Sequence, residues 1–445
     1  MIYNEAMEML ERGQLEKFQL SNLQETVKRV YEHVPFYRKK FTELGVEPRH
    51  VMSLADVRKL PFTEKKDLRD HYPFGLFATS MDEIVRLHAS SGTSGKPTVV
   101  AYSKNDIEHW AEVVARSIAA AGGRPGDVMH NAYGYGLFTG GLGLHHGGEK
   151  LGVATVPVSG GNTQRQILLI QDFKPKVICS TPSYALYIAE TMEEQGIDPR
   201  KTSLKYGIFG AETWTEEMRH TLEEKLAIQA VDIYGLSEVL GPGVSIECVE
   251  EQNGLHIQED HFLVEVIDPD TLEPVPEGEY GELVFTSLKK EAFPVIRYRT
   301  GDIASVTRKP CKCKRTTARM SRVKGRIDDM LIIRGVNVFP YEMERSLLQV
   351  EELAPHYQLY LHKKGHLDSV TLQVEIAEDV YNKCQQNLKH MEVTRLKQHV
   401  QTLIKSECLV TIDVDILPPK SIPRSEGKAV RIVDQRMKKS INYAN

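Results

Sequence analysis

Short β-rich runs alternate with longer helical segments between residues 84 and about 230 of this chain. The candidate buried strands are 153–156, 177–180 and 206–209, and the candidate helices between them are 163–172 and 183–195. Strands and helices in alternation are typical of an α/β fold, in which helices cover a layered sheet. This pattern constrains the fold more strongly than any other feature of the chain.

The flanking regions have different patterns. A helix is predicted over 16–37, and Thr63 is a candidate N-cap for a short helix over 64–70. Residues 255–306 are β-rich, with turn signals at Glu277-Gly278 and Thr300-Gly301. Beyond residue 328 the pattern is that of a small α+β domain. Its predicted elements are a helix over 341–350, strands over 357–362 and 369–376, a helix over 393–405 and a strand over 411–417.

We therefore predict an α/β protein with two domains. Residues 1–328 would form a large N-terminal domain of layered α/β sheets with a β-rich subdomain, and residues 329–445 a small α+β C-terminal domain. A chain of 445 residues is long enough for two or three domains.

Composition excludes several classes of protein. The net charge of −5 argues against a nucleic-acid binder. No apolar run of about 18 residues predicts a membrane span. The first twenty residues contain four glutamates and no apolar stretch, unlike a secretory signal. With neither feature, the cytoplasm is the expected location. Six cysteines are too few for a disulfide framework, so we expect reduced thiols or a metal site.

One loop between two predicted strands is rich in glycine and hydroxyl groups. Its glycines allow close approach to phosphate oxygens, its hydroxyls donate hydrogen bonds and its lysine adds positive charge. It differs from a Walker A loop because its glycines are only three residues apart and a proline follows the lysine. A flexible surface loop is the alternative to a phosphate site. The loop consists of Ser90, Ser91, Gly92, Thr93, Ser94, Gly95, Lys96 and Pro97.

Three cysteines and one histidine are candidates for a metal site. Cys248 and His256 are eight residues apart, and Cys311 and Cys313 follow as a C-x-C pair. Three thiolates and an imidazole would complete a tetrahedral structural Zn²⁺ site. The spacing is not that of a standard zinc finger, so a buried thiol and an unrelated polar histidine remain the alternative.

Several motifs occur in the order found in the adenylate-forming superfamily, which includes acyl-CoA synthetases, luciferases and adenylation domains of peptide synthetases. The chain resembles this superfamily in the loop 90–97 and in five further segments. Residues 130–138 and 334–340 are similar to phenylacetate–CoA ligases in particular. The five segments are Gly210-Ala211-Glu212, Tyr234-Gly235-Leu236-Ser237-Glu238, Tyr298-Arg299-Thr300-Gly301-Asp302, Gly325-Arg326-Ile327-Asp328-Asp329 and Pro423-Arg424-Ser425-Glu426-Gly427-Lys428.

This resemblance implies a two-step reaction. An aromatic acid would first react with ATP to give an acyl-adenylate and pyrophosphate, and coenzyme A would then displace AMP. Lys428 would bridge carboxylate and phosphate oxygens, Glu238 would bind Mg²⁺, and Asp302 would accept the ribose hydroxyls. Asp328 would be the hinge of a mobile C-terminal domain, and Gly335 would line the pantetheine tunnel.

The resemblance also assigns two sets of binding residues. Nucleotide contacts are expected from Ser90 to Lys96 and from Gly210, Ala211, Glu212, Asp232, Tyr234, Gly235, Ser237, Asp302 and Arg326. The acyl pocket is expected to be lined by Tyr133, Tyr135, Gly136, Phe138 and Gly141.

Other interpretations remain open at this point. Nine residues between 308 and 326 are Lys or Arg, which fits either a solvated loop or a site for the phosphates of coenzyme A. The acid could be another aromatic acid, and the acceptor a separate acyl carrier protein. Different classes are a P-loop-like kinase or ATPase and a non-catalytic nucleotide sensor. A homodimer is compatible with the resemblance, but no interface is identified.

Overall fold

The computed structural model describes residues 1–90, 97–333, 336–364 and 367–436. The chain divides into two compact units. The first unit contains Met1–Thr181, Ile188–Ala211 and Glu223–Val323. The second contains Pro182–Tyr187, Glu212–Leu222 and the chain from Lys324 onward. Each unit has its own hydrophobic core.

The described residues form a regular series of helices and strands. The helices are α1 (Glu5–Glu8), α2 (Arg12–His33), α3 (Pro35–Leu44), α4 (Lys65–Asp70), α5 (Lys104–Ala120), α6 (Thr139–Leu151), α7 (Thr163–Phe173), α8 (Pro182–Glu194), α9 (Glu216–Leu226), α10 (Pro340–Leu347), α11 (Glu378–Lys383) and α12 (Met391–Cys408). The strands are β1 (Ile84–Ser90), β2 (Thr98–Ser103), β3 (Val128–Asn131), β4 (Ala154–Val156), β5 (Val177–Ser180), β6 (Tyr206–Gly210), β7 (Gln229–Leu236), β8 (Gly241–Glu247), β9 (Leu255–Ile257), β10 (Phe262–Ile267), β11 (Gly281–Ser287), β12 (Tyr298–Ala304), β13 (Val306–Thr307), β14 (Arg319–Met320), β15 (Gly325–Arg326), β16 (Leu331–Ile333), β17 (Val336–Val338), β18 (Leu353–Lys364), β19 (Leu367–Ile376), β20 (Asp413–Leu417) and β21 (Ile432–Asp434).

A mixed sheet organises the first unit. Its strand order is β13-β14-β9-β8-β7-β6-β5-β3-β4. The strands from β4 to β7 are parallel, and the pairings from β7 to β13 are antiparallel. Every residue of β5 is buried, as expected for a strand covered on both faces. The predicted α/β fold class is therefore confirmed.

The N-terminal helix prediction was wrong in one respect. The single helix expected over 16–37 is two helices, because Val34 adopts an extended conformation and Pro35 begins α3. A residue before proline is driven out of the helical region by the proline ring. Thr63 also does not cap α4, whose N-cap is Glu64. Its hydroxyl instead donates to the carbonyl oxygen of Ile296, at 2.6 Å.

The predicted turn at Thr300-Gly301 is part of a strand. Strands β10, β11 and β12 pair in antiparallel order, and the register of β11 against β12 shifts between Glu282 and Val284. Gly301 lies opposite this irregularity with φ of +75°, a conformation that glycine adopts readily. Asp302 therefore projects from a bulged strand rather than from a turn.

The second unit contains the predicted small α+β fold. Its principal sheet has the order β20-β19-β18-β21, in which β18 and β19 are antiparallel and the outer strands run parallel to their neighbours. Apolar residues of α12 complete its core. The sequence pattern missed β21, which has only three residues and pairs with a strand far away in the chain. None of the helices in the described part of the chain combines the length and the hydropathy that a membrane span requires.

A buried charge network connects α5 to the loop before β10. The Arg116 guanidinium donates to both carboxylate oxygens of Asp260, at 2.8 and 3.0 Å, and also to Glu112. Burial alone would raise the pKa of Asp260, but the neighbouring His261 and Arg116 outweigh it and lower that pKa to about 2. Removing the guanidinium would take both short hydrogen bonds from the buried Asp260 carboxylate and leave it the longer contacts to His261 and Lys289, at 3.4 and 3.5 Å.

We expect Arg116→Met to destabilise the first unit by roughly 3–5 kcal/mol, since it breaks a buried ion pair from one side. The unfolding temperature should fall by about 6 °C or more, measured by differential scanning fluorimetry. Arg200→Ala is the control, because Arg200 is exposed and pairs only locally with Asp198. An unchanged unfolding temperature for Arg116→Met would contradict the importance of this network.

Candidate active site

The expected site residues of the first unit follow the carboxyl ends of its parallel strands. Asn131 ends β3 and is followed by the aromatic segment 133–138. Gly210 ends β6, and Ser237 and Glu238 follow β7 directly. Parallel strands present their carboxyl ends at one edge, which is where ligands bind in open α/β sheets.

Two motifs that are 68 residues apart meet through one hydrogen bond. The Tyr234 hydroxyl donates to Asp302 Oδ2 at 2.7 Å. The Tyr234 ring stacks on Phe285, with a centroid distance of 6.1 Å and an angle of 29° between the planes. The carboxylate is thereby held beside an aromatic ring, an arrangement suited to a ribose next to a planar base.

Carboxylate and hydroxyl oxygens lie close together near the last residues of β1 and β7. The Ser90 hydroxyl lies 3.5 Å from Glu238 Oε1, at the limit of a hydrogen bond, and the Glu238 side chain is buried. The Ser237 hydroxyl is 3.1 Å from that of Thr139. Carboxylate and hydroxyl oxygens are suitable partners for a hard cation and for phosphate. The rest of the expected phosphate loop, Ser91 to Lys96, lies outside the described residues.

Residues of β7 next to this edge pack tightly against neighbouring segments of the chain. A side chain at Gly235 would overlap the carbonyl oxygen of Gly241. The Asp232 amide donates to Glu247 Oε2 at 2.8 Å. The Arg322 guanidinium lies 3.8 Å from Asp232 Oδ2 and 3.6 Å from Glu247 Oε2. Asp232 therefore belongs to a buried charge cluster whose Arg322 the sequence motifs did not single out.

The residues expected at the acyl pocket form a hydrogen-bonded group after β3. Asn131 Nδ2 donates to the Tyr135 hydroxyl and to the carbonyl oxygen of Gly141, each at 2.8 Å. The Tyr135 hydroxyl also lies 3.2 Å from His145 Nδ1. Burial raises the pKa of Tyr135 to about 12, so its hydroxyl stays neutral near pH 7. Asn131 lies in the recognised segment 130–138 but was not assigned to the pocket, and His145 was missed because it stands in no recognised motif.

The other expected pocket residues differ in exposure. Tyr133 is buried, whereas Phe138 is 37% exposed at the start of α6. Gly136 has φ of +131°, which side chains rarely adopt. A side chain at Gly141 would press against the Gly134 carbonyl oxygen. The segment thus depends on glycine at two positions.

The three cysteines and the histidine form one compact cluster in the first unit. Their donor atoms all lie within 4.8 Å of one another, and all four residues offer a possible metal ligand. Cys248 Sγ is 3.6 Å from Cys311 Sγ, and Cys313 Sγ is 3.2 Å from His256 Nε2. Hydrogen bonds from Cys248 and His256 lower the pKa of the Cys313 thiol well below its usual value.

Thr317 contacts the histidine of this cluster, with its hydroxyl 3.2 Å from His256 Nδ1. Such a contact leaves Nε2 of the imidazole directed at the three sulfur atoms. The 3.6 Å between the sulfur atoms of Cys248 and Cys311 is far longer than a disulfide bond of about 2.05 Å, and all three cysteines are free. Cys179, Cys384 and Cys408 are also free and buried.

Two arginines of the basic stretch 308–326 are buried and bond to residues outside the stretch. Arg315 is buried against Glu8. Arg319 is also buried and donates to the carbonyl oxygen of Asn253. A uniformly solvated loop is therefore the wrong description of this stretch. Its buried arginines hold the loop to neighbouring segments.

In the second unit, Lys428 ends a turn that is closed by the side chain of Ser425. The Ser425 hydroxyl donates to the Lys428 carbonyl oxygen at 2.7 Å and accepts from the Gly427 amide at 3.2 Å. Asp328 lies in a 3-10 turn directly after Arg326. The expected tunnel residue Gly335 lies outside the described residues.

Glu212 and Ala211 occupy an unusual loop after β6. Ala211 has φ of +68°, a strained value for a residue other than glycine. Glu212 Oε1 accepts from the Ser183 amide and Oε2 from the Ala429 amide, each at 2.8 Å. Each carboxylate oxygen of Glu212 thus accepts from a backbone amide of the second unit.

Comparison with known proteins agrees with this geometry. The AMP-binding enzyme family matches residues 36–288, and the AMP-binding enzyme C-terminal domain matches residues 335–436. The chain is 53% identical to a phenylacetate-coenzyme A ligase of Thermus thermophilus, covering 98% of this chain and 100% of the relative. It is 51% identical to the Escherichia coli phenylacetate-coenzyme A ligase, covering 98% and 99%.

A solved structure has the same fold over nearly its whole length. The 2-hydroxyisobutyryl-CoA ligase in complex with 2-HIB-AMP is 29% identical, with a TM-score of 0.90 over 97% of this chain and 92% of that one. The resemblance inferred from the motifs is confirmed by the identity over the full chain. This chain belongs to the phenylacetate–CoA ligase family of AMP-binding enzymes.

Proposed function

We propose that this enzyme activates phenylacetate with ATP and transfers the phenylacetyl group to coenzyme A. In the first step a carboxylate oxygen attacks the α-phosphorus of ATP, and the bond to pyrophosphate breaks. In the second step the sulfur of coenzyme A attacks the acyl carbon, AMP leaves, and the thiol proton is released. The observation that carries this proposal is the identity of about one half, over nearly the whole chain, with ligases named for phenylacetate.

The nucleotide is proposed to bind at the carboxyl edge of β6 and β7. Asp302, held by Tyr234, would accept the two ribose hydroxyls, and the Tyr234 ring would contact the adenine. The buried Glu238 carboxylate next to Ser90 fits a Mg²⁺ ligand, and the bound ion would neutralise charge on the phosphates. Arg326 is proposed as a further ribose or phosphate contact.

The acid is proposed to bind along the segment after β3. The hydrogen bonds among Asn131, Tyr135 and Gly141 would give this wall a fixed shape. Tyr133 and Phe138 offer ring faces or edges to an aromatic substrate, and Gly136 adds room.

Lys428 is proposed as the catalytic residue of adenylation. Its ammonium would bridge the attacking carboxylate and the α-phosphate, where negative charge develops in the transition state. We propose that residues beyond the hinge Asp328 then reorient to present Gly335 to the pantetheine arm of coenzyme A. Three further statements stay predictions: that the mobile domain begins after residue 328, that the enzyme acts in the cytoplasm, and that it forms a homodimer.

We propose that the Cys248, His256, Cys311 and Cys313 cluster binds one structural Zn²⁺. A tetrahedron with Zn–S bonds of ~2.3 Å has edges of roughly 3.8 Å. The S···S separation of 3.6 Å between Cys248 and Cys311 is near that value, and the S···N separation of 3.2 Å between Cys313 and His256 is shorter, in keeping with the shorter Zn–N bond. Four protein ligands would leave no open position for a substrate, so the ion would have no part in catalysis.

The reaction is tested by following pyrophosphate release with phenylacetate, benzoate, indole-3-acetate and hexanoate, with and without coenzyme A. We expect phenylacetate to give a kcat/KM at least about tenfold above the others, with AMP as the nucleotide product, because pocket shape discriminates through transition-state binding. Formation of ADP would contradict adenylation. Turnover that needs a carrier protein instead of coenzyme A would contradict the second step.

Lys428→Ala should slow adenylate formation by roughly 100-fold to 1000-fold, the usual cost of losing one group that stabilises developing charge. Thioester formation from supplied phenylacetyl-adenylate should stay within about threefold of wild type, because that step does not need the ammonium. Both half-reactions are measured in single turnover. Lys389→Ala, at an exposed position, is the matched control, and equal losses in both half-reactions would refute the assignment.

Protein purified without chelator should contain about one equivalent of zinc per chain, measured by atomic absorption. Cys313→Ser should lose the metal and unfold at a lower temperature, because a structural zinc site contributes directly to folding. Cys408→Ala, which alters a buried free thiol outside the cluster, should retain the metal. Wild-type protein with well under one equivalent would refute the site.

A further inference from the structure

The Glu212 carboxylate joins two backbone segments of the second unit. Oε1 accepts from Ser183 N and Oε2 from Ala429 N, both at 2.8 Å. Ala429 is the residue directly after Lys428. The resemblance to the superfamily assigned Glu212 to the nucleotide site, and these two hydrogen bonds of its side chain are a separate feature.

The first of these bonds anchors Glu212 at the start of a helix. Ser183 is the second residue of α8, and the first amides of a helix have no acceptor within the helix. A carboxylate at this position is favoured by the hydrogen bond and by the helix dipole. The strained Ala211, with φ of +68°, directly precedes Glu212 and directs the chain into this loop. The carboxylate is therefore positioned independently of the Lys428 turn.

The beginning of the Lys428 turn has a separate anchor. Arg424 donates to both oxygens of the buried Glu375, at 2.8 and 2.9 Å. Glu375 also accepts from the amides of Lys420 and Ile422. This anchor holds the chain before the turn. The bond from Ala429 N to Glu212 holds the chain after it.

We propose that Glu212 is a positioning residue for Lys428 in the adenylation step. By accepting the Ala429 amide, its carboxylate fixes the end of the turn that carries the Lys428 ammonium. This hydrogen bond can form only while the turn lies against Glu212, so its contribution belongs to adenylation and not to thioester formation. The inference rests on the proposed role of Lys428.

The test is Glu212→Gln, measured in the two half-reactions separately. The two amides bond to different oxygens of Glu212, and glutamine replaces one of these oxygens with an NH2 donor, so one of the two amides loses its acceptor. Loss of a hydrogen bond to a charged group should lower the rate of adenylation by roughly 10-fold to 100-fold. The KM for ATP should stay within about twofold, and thioester formation from supplied phenylacetyl-adenylate should be unchanged, which also demonstrates that the variant is folded.

Glu224→Gln is the matched control, because it makes the same chemical change at an exposed position. Combining Glu212→Gln with Lys428→Ala provides a second measurement. If Glu212 acts through Lys428, the double variant should adenylate no more slowly than Lys428→Ala alone.

Three results would overturn the proposal. They are a raised KM for ATP at unchanged kcat, an equal loss in both half-reactions, and multiplicative effects of the two substitutions. The first would assign the Glu212 side chain to the nucleotide site instead. Failure of the wild-type enzyme to form an adenylate would reject the proposed function itself, and that outcome is visible before any variant is made.

Discussion

Parallel pairing of β3, β5, β6 and β7 is the constraint on which the active site depends. Parallel neighbours cannot be joined by tight turns, so the chain must return through helices that cover the faces of the sheet. Their carboxyl ends consequently meet at one edge, and the loops that follow them are brought together. This edge collects Asn131, Gly210 and Glu238, which are otherwise far apart in the chain.

Two buried ion pairs of the first unit join distant segments of the chain. Arg116 with Asp260 and Arg315 with Glu8 combine segments that are remote in sequence. The hydroxyl of Thr316 donates to the Leu10 carbonyl oxygen at 2.7 Å, which adds a further bond between the cysteine-bearing loop and the N-terminal segment. An unpaired charge at such positions would be costly, so each partner requires the other. The proposed zinc site would reinforce a loop that ion pairs already hold.

Helices and strands were predicted correctly where their signal lies in neighbouring residues. The predictions failed where a residue distant in the chain determines the local structure. The strand 177–180 and the helix α7 were predicted from apolar runs and helical period nearly to the residue. Thr63 was misread as a helix cap because its acceptor, Ile296, is more than 200 residues away. The Thr300-Gly301 pair has the composition of a turn, but pairing with β11 makes it part of a strand. The break at Pro35 could have been predicted from the proline alone.

The sequence by itself determined the fold class, the family and the chemical types present at the site, because ordered motifs and hydrophobic period are local properties of the chain. Tertiary structure alone decided which of those groups meet. The folded chain brings the Tyr234 hydroxyl to Asp302 and places Cys248 and His256 beside the C-x-C pair. It also places a backbone amide next to each carboxylate oxygen of Glu212. The reason is physical: a hydrogen bond or a metal-ligand set needs atoms within a few ångströms, and only the packing of the folded chain sets those distances.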